Sequence, residues 1–295
     1  MLRLKSKFAR TLVIIGAFVF YAILLNAYAV SKNIDVVEFE SAMYPPSPFK
    51  IKKAKKLGIA LETKPGILLK GFLAKPSGDG PFPAVVLMHG CNGIWRWDEV
   101  WTNRLVGWGY VVLGVDSFEP RGNPNICIKP LAITPESRSL DAYGAKIYLS
   151  TLPFVDPIRI AVMGMSHGGW SALKAIKRSA SADLQKKPFR AAVALYPYCG
   201  DSEQIVDKPT LILIGEKDEW TQANLCIRYV DTLQFPHETT LKVFPGAHHV
   251  FDLEGTDSKR KGVLDGQLKD RIYRYDPQAS EKAIQMIREF LRKWL

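Results

Sequence analysis

The sequence predicts an α/β fold, a mostly parallel central sheet with helices on both faces, and three observations predict it. Short apolar runs of strand length recur along the chain, bounded by glycine or proline and interleaved with helical patterns. Several runs, such as Pro83–Met88, are apolar throughout rather than alternating, as strands covered on both faces are. No low-complexity linker, internal repeat or second core interrupts the series, so a single domain over residues 51–295 is expected.

The N-terminus reads as an export signal. Arg3, Lys5, Lys7 and Arg10 precede an uncharged apolar run from Thr11 to Leu25. Ala27-Tyr28-Ala29 then offers the small residues that a signal peptidase accepts, so cleavage after Ala29 is expected. The run is about 15 residues, short of the roughly 20 that a spanning helix needs. The rival reading is an uncleaved anchor lengthened through Tyr28 to Val30. Either route leaves the remainder outside the cytoplasm, periplasmic or secreted, and touching a membrane only if the segment is retained. Residues 30–50 are expected to be an extension ahead of the domain.

Within the domain, Gly58–Glu62 and Ile67–Leu73 are predicted strands, joined by a turn at Pro65-Gly66. Pro83–Met88 is the next strand, and Asp98–Trp108 a helix with Val100, Leu105 and Trp108 on one face. Tyr110–Val115 is a strand and, after a long proline-rich loop, Ser137–Leu149 a helix. Arg159–Met163 is a strand followed by a helix over His167–Lys177. Ala191–Leu195 and Thr210–Ile214 are strands, Gln222–Leu233 a helix, and Thr240–Phe244 the last strand. Ser280–Trp294 is a terminal helix with Ala283, Met286, Ile287, Phe290 and Leu291 on one stripe. The charged segment Asp252–Pro277 is either a lid or a plain surface excursion.

Composition excludes some functions. With 47% hydrophobic and 23% charged residues the chain is neither disordered nor a polytopic membrane protein. The net charge of +11 falls to +7 once residues 1–29 are removed. The basic runs Lys52–Lys56 and Lys259–Lys261 read as solvated faces. No nucleic-acid-binding signature accompanies them, so no nucleic-acid partner is expected. The adjacent His248-His249 lacks the spacing of a helical zinc pair, no Cys-x-x-Cys occurs, and no Gly-x-Gly-x-x-Gly follows a strand; neither a metal nor another cofactor is expected.

The chemistry-bearing signal is Gly164-Met165-Ser166-His167-Gly168-Gly169, directly after one predicted strand and before a helix. A sharp strand-to-helix turn presents a strained, exposed serine, and that context turns a common short motif into a specific one. A serine hydroxyl needs a base to take its proton. In the α/β-hydrolase order an acid and then a histidine follow the serine. Asp218 follows the strand Thr210–Ile214, with Glu216 and Glu219 as nearby alternatives. His248 and His249 follow Thr240–Phe244. The oxyanion needs two backbone N–H donors; His167 supplies one, and Cys91, in the loop His89-Gly90-Cys91-Asn92-Gly93, the other.

These residues resemble the dienelactone hydrolase family. Four segments carry the likeness: VVLMHGCNG (Val85–Gly93), GYVVLGVDSFEPRG (Gly109–Gly122), MGMSHGG (Met163–Gly169) and FPGAHHVFD (Phe244–Asp252). The family pattern Pro-Gly-Ala-x-His-x-Phe selects His249 over His248. With Asp218 favoured over Glu216 and Glu219 by its spacing of four beyond the strand, the expected catalytic set is Ser166, Asp218 and His249. One departure is clear: the enzyme that named the family uses a cysteine nucleophile, whereas this elbow carries Ser166, so the family name does not establish dienelactone as the substrate. The family's sheet order also implies disulfides Cys91–Cys127 and Cys199–Cys226, which an exported chain can form.

The resemblance implies a serine hydrolase acting on a small-molecule carboxylic ester or lactone. A peptidase or acyltransferase with the same triad, and a non-catalytic exported binding protein, are the alternatives. Arg121 is a candidate for pairing with a substrate carboxylate, against a structural ion pair with Glu119 or another nearby acid. Trp95, Trp97 and Trp101 are candidates to line an acyl pocket, against simple core packing.

Overall fold

A computed structural model of the chain describes residues 34–43, 48–60, 65–177, 188–200, 206, 208–233, 239–264 and 267–295. The expected signal segment, and with it the choice between cleavage and anchoring, lies outside them. No helix among the described residues is long and apolar enough to cross a membrane.

The strands are β1 (Asp35–Glu40), β2 (Leu68–Ala74), β3 (Phe82–Met88), β4 (Val111–Asp116), β5 (Val155–Met165), β6 (Ala192–Leu195), β7 (Thr210–Gly215) and β8 (Thr239–Phe244). Among the described residues they form one sheet in the order β1-β2-β4-β3-β5-β6-β7-β8. The two β2 pairings, with β1 and β4, are antiparallel; from β4 to β8 every pairing is parallel. Ala84–Met88 of β3 and all of β6 are inaccessible to solvent, so both sheet faces are covered. That explains their unbroken apolar sequence.

Helices α1 (Pro48–Leu57), α2 (Arg96–Gly107), α3 (Pro135–Leu149), α4 (His167–Ala175), α5 (Ala223–Asp231) and α6 (Pro277–Trp294) surround the sheet. α3 and α6 begin earlier than their apolar stripes. Thr134 Oγ1 accepts from Ser137 N (3.2 Å) and Asp276 Oδ1 from Ala279 N (2.9 Å), each with proline at the first helical position.

The N-terminal third departs from expectation twice. The segment read as an extension contributes β1, an edge strand in which Phe39 is the one buried side chain, too weak an alternation to read as a strand. The strand expected over Gly58–Glu62 does not form in its described part. Residues Pro48–Leu57 are helical instead, Gly58 follows at φ 63°, and the Lys52–Lys56 run is a solvated helix face around buried Ala54.

The charged segment after Asp252 contains a two-stranded hairpin, β9 (Ser258–Leu264) and β10 (Gln267–Tyr273), separate from the main sheet. It is anchored by Arg274 N donating to His249 O (3.1 Å) and Val263 N to Cys127 O (3.3 Å). Gly262 is required by close approach, because a Cβ there would meet the Trp220 ring at 2.2 Å. Disulfides join Cys91 to Cys127 and Cys199 to Cys226, the pairs implied by the family's sheet order.

Candidate active site

The carboxyl ends of the parallel strands supply the site, as open α/β sheets do. At the end of β5 the chain turns into α4 through Ser166, whose φ of 51° lies in the left-handed region. Ser166 N donates to Leu195 O on β6, and Trp170 N to Ser166 O, both at 2.9 Å. The flanking glycines are steric necessities. A Cβ on Gly164 would meet Gly168 O at 2.3 Å, and one on Gly168 would meet Met88 O at 2.0 Å.

After β7, Asp218 is held by its own turn, with Oδ1 accepting from Trp220 N (2.8 Å) and Thr221 N (2.9 Å). Its Oδ2 accepts from Thr221 Oγ1 (3.1 Å) and faces His249 Nδ1 at 2.6 Å. Both side chains of that pair are fully buried. In the neutral imidazole this bond places the proton on Nδ1 and leaves Nε2 as the acceptor. Nε2 is buried and makes no hydrogen bond, to Ser166 or to any other described group.

The neighbouring candidates are engaged elsewhere. Glu216 Oε2 accepts from Gly246 N, and Glu219 Oε2 from Ile272 N on the hairpin. His248 faces Arg274 across 3.4 Å rather than Asp218. The His249 ring stacks on Trp220, with centroids 5.7 Å apart and planes at 20°, and meets the edge of Tyr196 at 4.6 Å. Trp220 and Thr221 thus orient the acid–histidine pair, and no local sequence pattern singles them out.

Asp252, three residues past His249, carries no sequence mark either. It is buried, and it accepts from three ring donors: Trp97 Nε1 (2.8 Å), Trp101 Nε1 (2.7 Å) and the Tyr196 hydroxyl (2.8 Å). The carboxylate therefore sets the ring that packs against His249. Asp252→Ala is expected to cost about 3 kcal/mol in urea unfolding, since each buried donor left unpaired costs about 1–3 kcal/mol, partly offset by removing a buried charge. A loss below about 1 kcal/mol would contradict this account.

Ser166 opens onto a cavity of about 610 Å³. Its wall is mainly apolar, built from the Cys91–Cys127 bridge, Pro130–Ala132, Trp170, Tyr198, Trp220 and hairpin residue Val263. His167 and Thr221 are polar members of the wall, and Lys129 is the cation among the lining residues. Cys91 and His167, the expected oxyanion donors, therefore border the same space as Ser166.

Two residues considered for ligand contact take the structural alternative. Arg121 makes a two-pronged pair with Asp141, at 2.7 and 2.9 Å, and also donates to Ser117 O. Its fork is spent on structure, because a buried carboxylate on α3 needs a partner. Trp95 is absent from the cavity wall; it precedes α2, packs against the core, and its backbone N–H donates to Asp98 Oδ2 (3.0 Å). Trp97 and Trp101 are core residues that serve Asp252. The aromatic wall comes instead from Trp170, Tyr198 and Trp220, each on a different segment.

Comparison with known proteins gives a consistent picture. The family model described as the dienelactone hydrolase family matches residues 69–295. An uncharacterised protein of Mycobacterium tuberculosis strain H37Rv is 27% identical over 236 residues, covering 74% of this chain and 81% of its own length. A Bradyrhizobium sp. protein described as a probable 2-oxo-3-(5-oxofuran-2-ylidene)propanoate lactonase is 25% identical over 210 residues, covering 64% of this chain and 81% of its own. Among solved structures, a dienelactone hydrolase-like promiscuous phosphotriesterase from metagenomic libraries superposes with a TM-score of 0.61 at 16% identity, covering 88% of this chain and 98% of its own.

Proposed function

This chain belongs to the dienelactone hydrolase family, and on that premise we propose that it is an exported serine hydrolase cleaving a carboxylic ester or lactone through an acyl-enzyme on Ser166. The observation that carries the reading is the buried Asp218–His249 bond of 2.6 Å, which leaves Nε2 unbonded and able to accept a proton.

Substrate enters the apolar cavity with its carbonyl carbon over Ser166 Oγ. As the Oγ–C bond forms, the Ser166 proton passes to His249 Nε2, and Asp218 stabilises the resulting imidazolium. The carbonyl oxygen becomes an oxyanion, held by the N–H groups of Cys91 and His167. Its collapse breaks the ester C–O bond, and the leaving oxygen takes the proton from Nε2. In a lactone that oxygen stays tethered to the acyl group. Water, deprotonated by the same nitrogen, then attacks the acyl-enzyme and frees the acid and Ser166. The mainly apolar wall favours an apolar acyl group, with Lys129 as the cation at its edge and Arg121 committed to Asp141. Two disulfides and the basic-apolar N-terminus support export, because oxidising compartments preserve such bonds.

The experiment is labelling of the purified protein with a fluorophosphonate probe and mass mapping of the adduct. An adduct on the peptide holding Ser166 is the expected result. A well-folded protein that takes up no probe, or takes it up elsewhere, contradicts the reading.

A further inference from the structure

Arg138, on α3, is completely buried. Such a guanidinium ordinarily needs a carboxylate in contact, yet nearby Asp141 is bound by Arg121. Arg138 donates instead through Nη1 to His167 Nδ1 (2.9 Å) and through Nη2 to the His89 carbonyl (2.8 Å). Phe118 covers it, its ring centroid 4.8 Å from the guanidinium carbon.

Those two partners stand on the two segments that border Ser166, His89 in the loop after β3 and His167 at the start of α4, close enough that a Cβ on Gly168 would meet His89 O at 2.5 Å. His167 carries one of the proposed oxyanion donors on its own backbone. His89 stands two residues before Cys91, which carries the other. The imidazoles themselves are tied down. His167 Nε2 donates to Pro130 O in the cavity wall (2.8 Å), which leaves Nδ1 free to accept from Arg138. His89 Nδ1 donates to Gly90 O (2.7 Å), and its Nε2 accepts from Ser117 N (3.2 Å). Burial, reinforced by the Arg138 charge, lowers the His167 pKa to about 3, so that ring stays a neutral acceptor at working pH.

We propose that Arg138 is a positioning residue for the oxyanion hole, fixing the separation of the Cys91 and His167 amides by gripping His89 and His167 at once. The inference rests on the reading that those amides stabilise the oxyanion. Arginine suits the task because its planar fork presents two N–H groups at a set angle; a lysine ammonium is a point donor without that fork. The grip acts on donors that matter most when the carbonyl oxygen is charged. Its loss should therefore weaken the transition state more than substrate binding.

The test compares wild type, Arg138→Lys and His167→Ala on a soluble nitrophenyl ester, with a trifluoromethyl ketone as a probe that forms a tetrahedral adduct. Folding is checked by circular dichroism. For folded Arg138→Lys, kcat should fall about 10- to 100-fold, less than or comparable to deleting an oxyanion donor. KM should stay within about twofold, and ketone affinity should fall in parallel with kcat/KM. His167→Ala keeps the backbone N–H but releases Arg138 from the elbow; because it also removes a side chain from the cavity wall, its KM is not diagnostic, and the fall in kcat is the readout to compare. If Arg138→Lys does not fold, His167→Ala decides alone. Wild-type kcat and ketone affinity in the folded variants would overturn the inference, even with a lowered melting temperature. Failure of the wild type to take up fluorophosphonate at Ser166 would instead overturn the hydrolase reading beneath it.

Discussion

Ser166→Ala is expected to lower kcat for ester hydrolysis by roughly 10⁴- to 10⁶-fold, with stability changed by less than about 0.5 kcal/mol. The size follows from losing the atom that bonds to substrate; what survives is binding and oxyanion stabilisation, with water attacking directly. The small effect on stability follows from local geometry. Residue 166 is in the left-handed region at φ 51°, and alanine, like serine, carries a Cβ there, so the strain is the same in both chains. The glycines that allow the turn are untouched. Steady-state kinetics and a thermal melt on matched preparations check both halves. A folded variant keeping more than about 1% of wild-type kcat would sink the acyl-enzyme mechanism.

Asp218→Asn is expected to cost about 10⁴-fold in kcat through the tautomer of His249 rather than through lost packing. Oδ1 of Asp218 already accepts from two backbone N–H groups, so the amide oxygen of asparagine must occupy that position. The NH₂ group then occupies the place of Oδ2, where it donates towards His249 Nδ1. A neutral imidazole facing a donor at Nδ1 carries its proton on Nε2 and cannot take another from Ser166. Thr221 Oγ1, which donates to Oδ2 in the native site, can keep its bond to Tyr196 O (2.9 Å). The loss should therefore appear in kcat with KM little changed. A kcat within about tenfold of wild type would show that Asp218 does not set the tautomer.

Much of the fold was legible because buried parallel strands write themselves plainly: β3 to β8 each fall within one or two residues of an apolar run, except β5, whose early start at Val155 is not marked by one. Helix starts were less legible where a cap precedes the apolar stripe, as at Thr134 and Asp276. β1 was missed because an edge strand buries little, and α1 because a lysine-rich helix packing one alanine has almost no stripe. Ser166, Asp218 and His249 could be proposed because each follows a strand in a fixed chain order, with the family pattern choosing His249 over His248. Residues that act through tertiary contact had no such mark. Arg138 and Asp252 look like surface charges in sequence, and only packing shows that one grips two loops and the other three rings. The tryptophans show the converse: three close to the oxyanion loop drew attention, while the cavity took its aromatic wall from elsewhere.

The Cys91–Cys127 bridge welds a donor loop to the wall that meets the substrate, and Ile126 N donating to Cys91 O (2.8 Å) adds a second rivet. His167 Nε2 reaches the same wall at Pro130 from the elbow side. Recognition and chemistry therefore share a frame, and they cannot vary independently. A lineage adapting residues 127–132 to a new acyl group would disturb turnover as well as affinity. The β9–β10 hairpin, which meets the cavity at Val263, is tied into the same frame through Val263 N to Cys127 O (3.3 Å) and Arg274 N to His249 O (3.1 Å). A change of acyl group among close relatives is then expected to come with compensating changes around the oxyanion loop and His249.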